Sequence, residues 1–284
     1  GQQRIPNAKV LCIGAGGLGS PTIMYLAAAG VGEIGIVDFD CVDISNLQRQ
    51  IIHNQSDIGK NKAKSAKEKV LQLNPGIKVK TYETRLDTTN ALEIFDNYDL
   101  IIDCTDNFAT RYLVNDAAAL LGKPYIWGSI YRFDGQASVF WSQEGPCYRC
   151  LHPTPPPAGA VPSCAEGGVL GVLCGAIGSI QSNEAIKLIT GVGNSLLGSL
   201  LIYDALESSY TKIEIKKNVN CPICNGSQKT LLGDYEEFCG ITDTVTAEQL
   251  KNRNDFFLID VREPEEHEAL AIPGSVLIPK GKFD

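Results

Sequence analysis

The sequence predicts an α/β fold with a mostly parallel sheet and antiparallel additions, and three observations carry that expectation. Short apolar stretches of strand length alternate with helix-periodic segments as far as Trp141. A glycine-rich turn, Gly14-x-Gly16-x-x-Gly19, follows directly on the first apolar stretch. Nineteen residues after Gly19, the next apolar stretch ends in Asp38. Glycines in such a turn let the backbone bend tightly and approach a phosphate, and a helix N-terminus offers free N–H groups to an anion. A carboxylate at the end of the second strand can accept hydrogen bonds from ribose hydroxyls. The turn and the acid together define a Rossmann-like nucleotide site.

Each element follows in order. Val10 to Ile13 is a buried strand, Tyr25 to Ala29 the first helix stopped by Gly30, and Glu33 to Val37 the second strand. Phe39 to Gln50 is a polar loop too long for a plain strand-to-helix connection. Lys60 to Leu73 is a lysine-rich helix with Ala63, Ala66, Val70 and Leu73 on its apolar face, ended by Asn74-Pro75. Ile77 to Tyr82 is a strand, Ala91 to Phe95 a short helix, and Tyr98 to Asp103 a buried strand leading into Cys104-Thr105-Asp106-Asn107. Helix Ala109 to Leu121, strand Pro124 to Trp127 and the alternating Gly135 to Trp141 complete the sheet. The proline run from His152 to Pro157, with Gly159 to Ser163, can only be loop. Gly168 to Thr190 is small or apolar on most sides, which predicts a buried helix; Leu200–Asp204 and Tyr210–Ile215 pair as strands. Residues 1–225 form one domain, the glycine-bearing, acidic stretch 226–240 a linker, and 241–284 the start of a second pattern. That pattern has a capped helix at Thr246 to Leu250, a strand at Phe256 to Asp260 and a turn or helix at Pro264 to Ala269. Its 44 residues are marginal for an independent domain, so it is expected to be incomplete.

Composition narrows the classes of function. The 284 residues are 44% hydrophobic and 20% charged, ordinary for a soluble globular protein. A net charge of −8 argues against a general nucleic-acid binder, whose surface needs a basic excess. No apolar run approaches the roughly 18 residues that span a membrane, and no signal peptide precedes the first strand. Ten cysteines, four of them in two C-x-x-C pairs, fit a reducing compartment and a metal, so the cytoplasm is expected. Gly1 stands almost directly before a core strand, and an upstream segment is expected.

The glycine turn alone favours an NAD or FAD enzyme. Three further features favour ATP: the loop Ser45-Asn46-Leu47-Gln48-Arg49, Lys62 on the next helix, and Asp106 after a central strand. A guanidinium, an ammonium and a carboxylate from different sheet edges suit a triphosphate with Mg²⁺, Arg49 and Lys62 holding the phosphates and Asp106 the metal. Taken singly, each is more often surface charge. No G-x-x-x-x-G-K-[ST] is present, which excludes a P-loop ATPase. Cys147, Cys150, Cys221 and Cys224 supply four thiolates for a structural Zn²⁺ that staples two distant loops. Cys12, Cys104 and Cys174 are core residues, and Cys41 and Cys239 have no assigned role. Cys164 sits in a loop just ahead of a helix, where N–H groups lower a thiol pKa, and could equally be reactive or a plain loop residue.

These residues together resemble the ubiquitin-activating-like (E1-like) adenylyltransferases, closest to those that activate sulfur carriers for molybdopterin synthase and bear a C-terminal rhodanese domain. The resemblance rests on Gly14 to Gly19, Val37 to Asp40, Ser45 to Gln50, Asp103 to Asn107, both cysteine pairs and Ser163 to Gly168. Asp234 to Gly240 is similar to the family's linker, and Ile259 to His267 with Ile272 to Ser275 to the first part of a rhodanese domain. The resemblance implies that the carboxylate of a ubiquitin-fold sulfur carrier ending in Gly-Gly attacks the α-phosphate of ATP. Persulfide sulfur, drawn from a donor such as a cysteine desulfurase, then displaces AMP to leave a thiocarboxylate. Gly14, Gly16, Gly17 and Gly19 would form the phosphate turn and Asp38, with Asp40 beside it, would hold the ribose. Ser45, Asn46, Leu47, Gln48, Arg49 and Lys62 would surround the triphosphate, Asp106 and Asn107 would complete the site with Mg²⁺ on Asp106, and Cys164 would take a covalent role. A homodimer is implied, in which an arginine upstream of Gly1 reaches the partner's nucleotide. The rhodanese cysteine loop would lie beyond Asp284, so sulfur transfer through that domain is not expected of this chain. Two rival expectations are an NAD(P)-dependent oxidoreductase and a zinc-stapled scaffold that binds a ubiquitin-fold partner without turnover.

Overall fold

Strand β1 (Lys9–Ile13) is apolar on both faces: Val10 and Cys12 enter one hydrophobic cluster, Leu11 and Ile13 the other. A strand of that kind is stable only between two covering layers. In the computed structural model, which describes residues 1–156, 168–239 and 257–279, it lies within an eight-stranded sheet. The other strands are β2 (Glu33–Val37), β3 (Lys78–Tyr82), β4 (Leu100–Asp103), β5 (Tyr125–Tyr131), β6 (Asp134–Phe140), β7 (Ser199–Asp204) and β8 (Ser209–Glu214). Their order is β3-β2-β1-β4-β5-β6-β7-β8, parallel from β3 through β5 and antiparallel from β5 to β8. The mostly parallel sheet with antiparallel additions is the architecture expected from the sequence.

Helices α1 (Gly19–Ala29) and α2 (Lys62–Leu73) contribute to one cluster, and α3 (Ala91–Asp96) and α4 (Phe108–Leu120) to the other. Helix α1 begins six residues before the expected Tyr25, because the glycine turn runs straight into it: the Ser20 amide already bonds the Gly16 carbonyl at 2.9 Å. Pro21 is tolerated there because first-turn amides have no intrahelical partner. Helix α2 starts at Lys62 rather than Lys60, since Asn61 caps it by accepting the Lys64 amide. Leu73, expected on its apolar face, is 47% exposed.

A one-turn helix α5 (Tyr148–Leu151) carries the first cysteine pair, and α6 (Gly171–Thr190) returns to pack on α1 and join the first cluster. Helix α6, expected to be buried, is buried on its inward face, while Val172 is 74% exposed. Its inward face also carries polar groups with defined partners: Gln181 donates to the Asp103 carbonyl at 2.7 Å, and Glu184 accepts the Leu196 amide at 2.8 Å. None of the described helices is long and apolar enough to cross a membrane.

The chain divides into two compact units, Gly1–Ile241 and Thr242–Asp284. The stretch expected to be a linker is part of the first unit as far as it is described. Helix α7 (Tyr235–Phe238) lies against α4, with Tyr235 and Cys239 each 5% exposed. The cause is a buried polar hub on α4. Asp116, fully buried, takes two parallel hydrogen bonds of 2.8 Å from Arg149. It also accepts from the Asn115 amide (2.9 Å), Gln228 (3.0 Å) and the Tyr235 hydroxyl (2.8 Å). The Arg149 guanidinium lies against the rings of Tyr112 and Phe238, at 4.9 and 4.5 Å, which themselves meet edge to face.

In the second unit, strands β9 (Ile259–Asp260) and β10 (Val276–Leu277) pair in parallel, with α8 (Pro264–Ala269) between them in sequence. Asp260 is held by Arg262 and His267, which pushes its carboxyl well below the usual range. The helix expected at 246–250 and the start of the strand expected from Phe256 lie outside the described residues.

Removing one partner from a buried bidentate pair leaves the other charge stranded. Asp116→Ala is therefore expected to cost about 3–5 kcal/mol of stability, read as a lower urea midpoint with the slope retained.

Candidate functional site

The carboxyl ends of β1, β2 and β4 surround a cavity of about 220 Å³, at the edge where open α/β sheets hold ligands. Its base is the glycine turn. Gly14 has φ +96°, and a Cβ on Gly19 would stand 2.1 Å from the Gly14 carbonyl oxygen, so no side chain fits there. A Cβ on Gly17 would meet the Cys174 sulfur at 2.7 Å. Gly14, Gly16 and Gly17 line the cavity, whereas Gly19 shapes the turn without lining it.

Asp38 locks this turn to β2. Its Oδ2 accepts the Ala15 amide at 2.8 Å and its Oδ1 the Asp40 amide at 3.0 Å. Each oxygen keeps a lone pair for a further donor. Burial pushes its carboxyl pKa up, against the two amide bonds and the nearby Lys62 charge. Asn61 bonds the Asp38 and Asp40 carbonyls and so sets the start of α2, which delivers Lys62. The Lys62 side chain is only 9% exposed and pairs with Asp40 Oδ2 at 3.1 Å.

The loop after β2 divides its residues between two tasks. Asp43 accepts from the Ser45 amide and hydroxyl, and Asn46 accepts the Asp43 amide in return, a reciprocal cap on the short 3₁₀ turn Ile44–Asn46. Ser45, Asn46, Leu47 and Gln48 do not line the cavity; Gln48 lies against Gly171 at the start of α6. Arg49 does line it, tethered by a 3.2 Å bond to the Ser45 carbonyl. On the opposite wall, Asp106 and Asn107 line the cavity, and Asn107 also caps α4 through the Thr110 amide. The loop holding Asp106 is fixed by Asp103, whose Oδ1 accepts the Thr105 amide and hydroxyl at 2.9 and 2.7 Å. The cavity thus gathers Gly14, Gly16, Gly17, Asp38, Asp40, Arg49, Lys62, Asp106 and Asn107. Cys164 lies outside the described residues.

Four residues of this region have no counterpart among the expected site residues. Gln50, 4% exposed, lines the cavity, its amide over Gly16 and its Oε1 without a partner. Arg111 lines it while 7% exposed. Arg85 lines it and stacks over Phe39 at 5.9 Å, and its guanidinium pairs with Glu236. His53 does not line it but holds the turn from behind: Nε2 donates to the Ala15 carbonyl at 2.9 Å and Nδ1 accepts from the Ser65 hydroxyl at 2.8 Å. A carbonyl can only accept, which fixes this tautomer. Cys104 and Cys174, expected as core residues, are buried and also line the cavity.

Cys147, Cys150, Cys221 and Cys224 converge. Their sulfurs lie within 4.8 Å of one another, with Cys147–Cys221 and Cys150–Cys224 at 3.5 Å and Cys147–Cys150 at 3.9 Å. Four sulfurs at about 2.3 Å from a tetrahedral ion stand about 3.8 Å apart, so the set fits a Zn²⁺-sized metal with no open position. None of the four lines the cavity.

A Rossmann-like α/β protein, with its cleft at the strand ends and a four-cysteine staple away from it, is the class that this fold and site define. The ThiF family model matches residues 1–223, and the chain belongs to that family. A Mycobacterium tuberculosis protein named probable adenylyltransferase/sulfurtransferase MoeZ is 56% identical over 298 aligned positions, covering 99% of this chain and 75% of that one. The Thermus thermophilus sulfur carrier protein adenylyltransferase is 52% identical, covering 85% of this chain and 91% of the other. The crystal structure of E. coli MccB with MccA-N7isoASN shares the fold, with a TM-score of 0.71 at 22% identity over 78% of this chain and 68% of that one.

Burial pushes the His53 pKa below its ordinary 6.5, so the fold holds the neutral ring. Below pH 6.5 the unfolded chain binds a proton that the fold refuses, so stability rises with pH through that window and falls on acidification. His152, half-buried and likewise depressed by desolvation, adds to the same slope. His53→Gln is expected to flatten part of the loss in urea midpoint between pH 7.5 and 5.5.

Proposed function

We propose that this chain uses ATP to adenylate the C-terminal Gly-Gly carboxylate of a ubiquitin-fold sulfur carrier, preparing it for thiocarboxylate formation. One observation carries the reading: a single cavity joins the glycine turn to Asp38, Arg49, Lys62 and Asp106, contributed by four separate segments. Membership of the ThiF family and the relatives named adenylyltransferases support it. A carboxylate oxygen of the carrier forms a bond to the α-phosphorus while the bond from that phosphorus to the bridging oxygen breaks, and pyrophosphate leaves with the electron pair. A carboxylate is already anionic at neutral pH, so alignment and charge neutralisation do most of the work.

In this reading Asp38 takes the ribose hydroxyls with the lone pairs left by its two amide bonds. The glycine turn and the α1 N-terminus receive phosphate oxygens, and Arg49 and Lys62 neutralise the triphosphate. Asp40 holds the Lys62 ammonium at the cavity wall until a phosphate competes for it. Asp106, exposed and with no hydrogen bond among the described residues, is the carboxylate we assign to Mg²⁺. That ion, when bound, supplies further neutralisation of the phosphate charge. The cysteine set is assigned to structural zinc. A cytoplasmic homodimer, a persulfide sulfur donor such as a cysteine desulfurase, a covalent role for Cys164 and a rhodanese-like character for 241–284 belong to the same proposal.

ATP–pyrophosphate exchange tests the reading. Exchange is expected only when a Gly-Gly-ended carrier is present, and Asp106→Ala is expected to lower it by about 100-fold or more. Cys164→Ala should leave exchange intact and affect only sulfur transfer; carrier binding indifferent to ATP, with no exchange, would overturn the assignment. For the metal, elemental analysis is expected to find one zinc per chain, lost in Cys221→Ser together with a fall in the melting temperature.

A further inference from the structure

Two cations of the cavity wall take no part in the proposed chemistry, Arg85, which pairs with Glu236, and Arg111, which has no such partner among the described residues. Arg111 lies on α4, five residues beyond Asp106, and its side chain is 7% exposed although it lines the cavity. One terminal nitrogen donates a long 3.3 Å bond to the Thr105 carbonyl, while Nε has no partner. No carboxylate pairs with it among the described residues. Around it stand the rings of Phe108 and Trp127, at 5.3 and 5.8 Å, with the Tyr148 phenol and His152 nearby. Asp103 feels the guanidinium charge without forming an ion pair with it: Thr105 occupies Oδ1, Oδ2 is buried without a partner, and burial pushes the carboxyl pKa up against the pull of Arg111.

A guanidinium cannot shed its proton, and a buried charge without a counter-ion is costly unless something arrives to pair with it. The open side of Arg111 is the cavity. We propose that Arg111 is an oxyanion-binding residue of the nucleotide cavity, set for a ligand anion that the protein itself does not supply. The inference rests on the function proposed above, under which two oxyanions enter: a phosphate of ATP and the carrier's terminal carboxylate. Placement favours the carboxylate. Asp38 fixes the ribose at the end of β2, and Arg49 and Lys62 come from the segments that follow β2. Arg111 stands over Trp127 of β5, and the sheet order puts β4 and β5 on the other side of β1 from β2. The acceptor approaches the α-phosphate from that other side.

The test uses the full chain and a carrier in two forms, one ending in the Gly-Gly carboxylate and one in its amide. In the presence of AMP, the carboxylate form is expected to bind about tenfold tighter. Arg111→Met should erase that ratio while the Kd for ATP stays within twofold. A tenfold loss of ATP affinity with the carboxylate ratio intact would assign the same oxyanion role to a phosphate contact. If a folded Arg111→Met changes neither quantity, the proposal is overturned. Trp127 gives a second measurement that needs no change at Arg111. In Trp141→Phe it is the remaining tryptophan, and its emission is expected to shift on saturation with acetate or with ATP. No shift with either ligand also overturns the proposal. A carrier that binds in neither form removes the adenylation reading, and the Trp127 titrations with acetate and ATP still decide the role of Arg111.

Discussion

The contact that most of this molecule depends on is the close approach of Gly19 to the Gly14 carbonyl. It turns β1 into α1 within five residues and leaves the Ala15 amide pointing at Asp38. From there the constraint spreads by hydrogen bonds. Asp38 fixes the end of β2, Asn61 ties the carbonyls beyond it to the start of α2, and His53 grips the turn from behind through Ser65 of that same helix. The cavity is therefore a preformed object. Its base is backbone with no room for side chains, and its charged groups arrive on elements already tied to that base.

The two faces of the sheet solve burial differently. The face covered by α1, α2 and α6 is largely apolar, and its polar intrusions, such as Gln181, satisfy backbone groups at the strand ends. The opposite face carries a buried ion pair. Arg149 lies inside the first cysteine pair, so the segment that brings two sulfurs to the cluster also brings the counter-charge for Asp116. Cysteine cluster and polar hub are two supports of one corner, where α4, the first cysteine pair and the 226–239 stretch meet.

Much of this was legible in the sequence because parallel strands and glycine turns leave periodic marks. Glu33–Val37 is bounded as expected, since five consecutive strand residues between glycines and an aspartate admit little else. The start of α1 was obscured because glycine, serine and proline are poor helix formers, and only the tertiary turn makes them helical. Gln50 closes the motif that begins at Ser45 but has no assigned role there, and His53 and Arg111 carry no motif. Each matters through one buried contact with a residue distant in sequence, which periodicity cannot register. Tyr235 escaped for the same reason: an acidic, glycine-bearing stretch looks like a connector until a buried carboxylate on another element asks for its hydroxyl. The rarity of histidine, three in the chain, was the only available hint toward His53.

The anchoring of residues 226–239 has a consequence for where the first unit can be cut. A chain ended after Cys224 would strip Asp116 of two donors, the Gln228 amide and the Tyr235 hydroxyl, and Arg149 of the Phe238 ring. A fully buried carboxylate has no water to replace them. The acidic, glycine-bearing stretch is thereby a component of the fold, and a single oxygen atom, the one that Tyr235 presents to Asp116, helps to make it so.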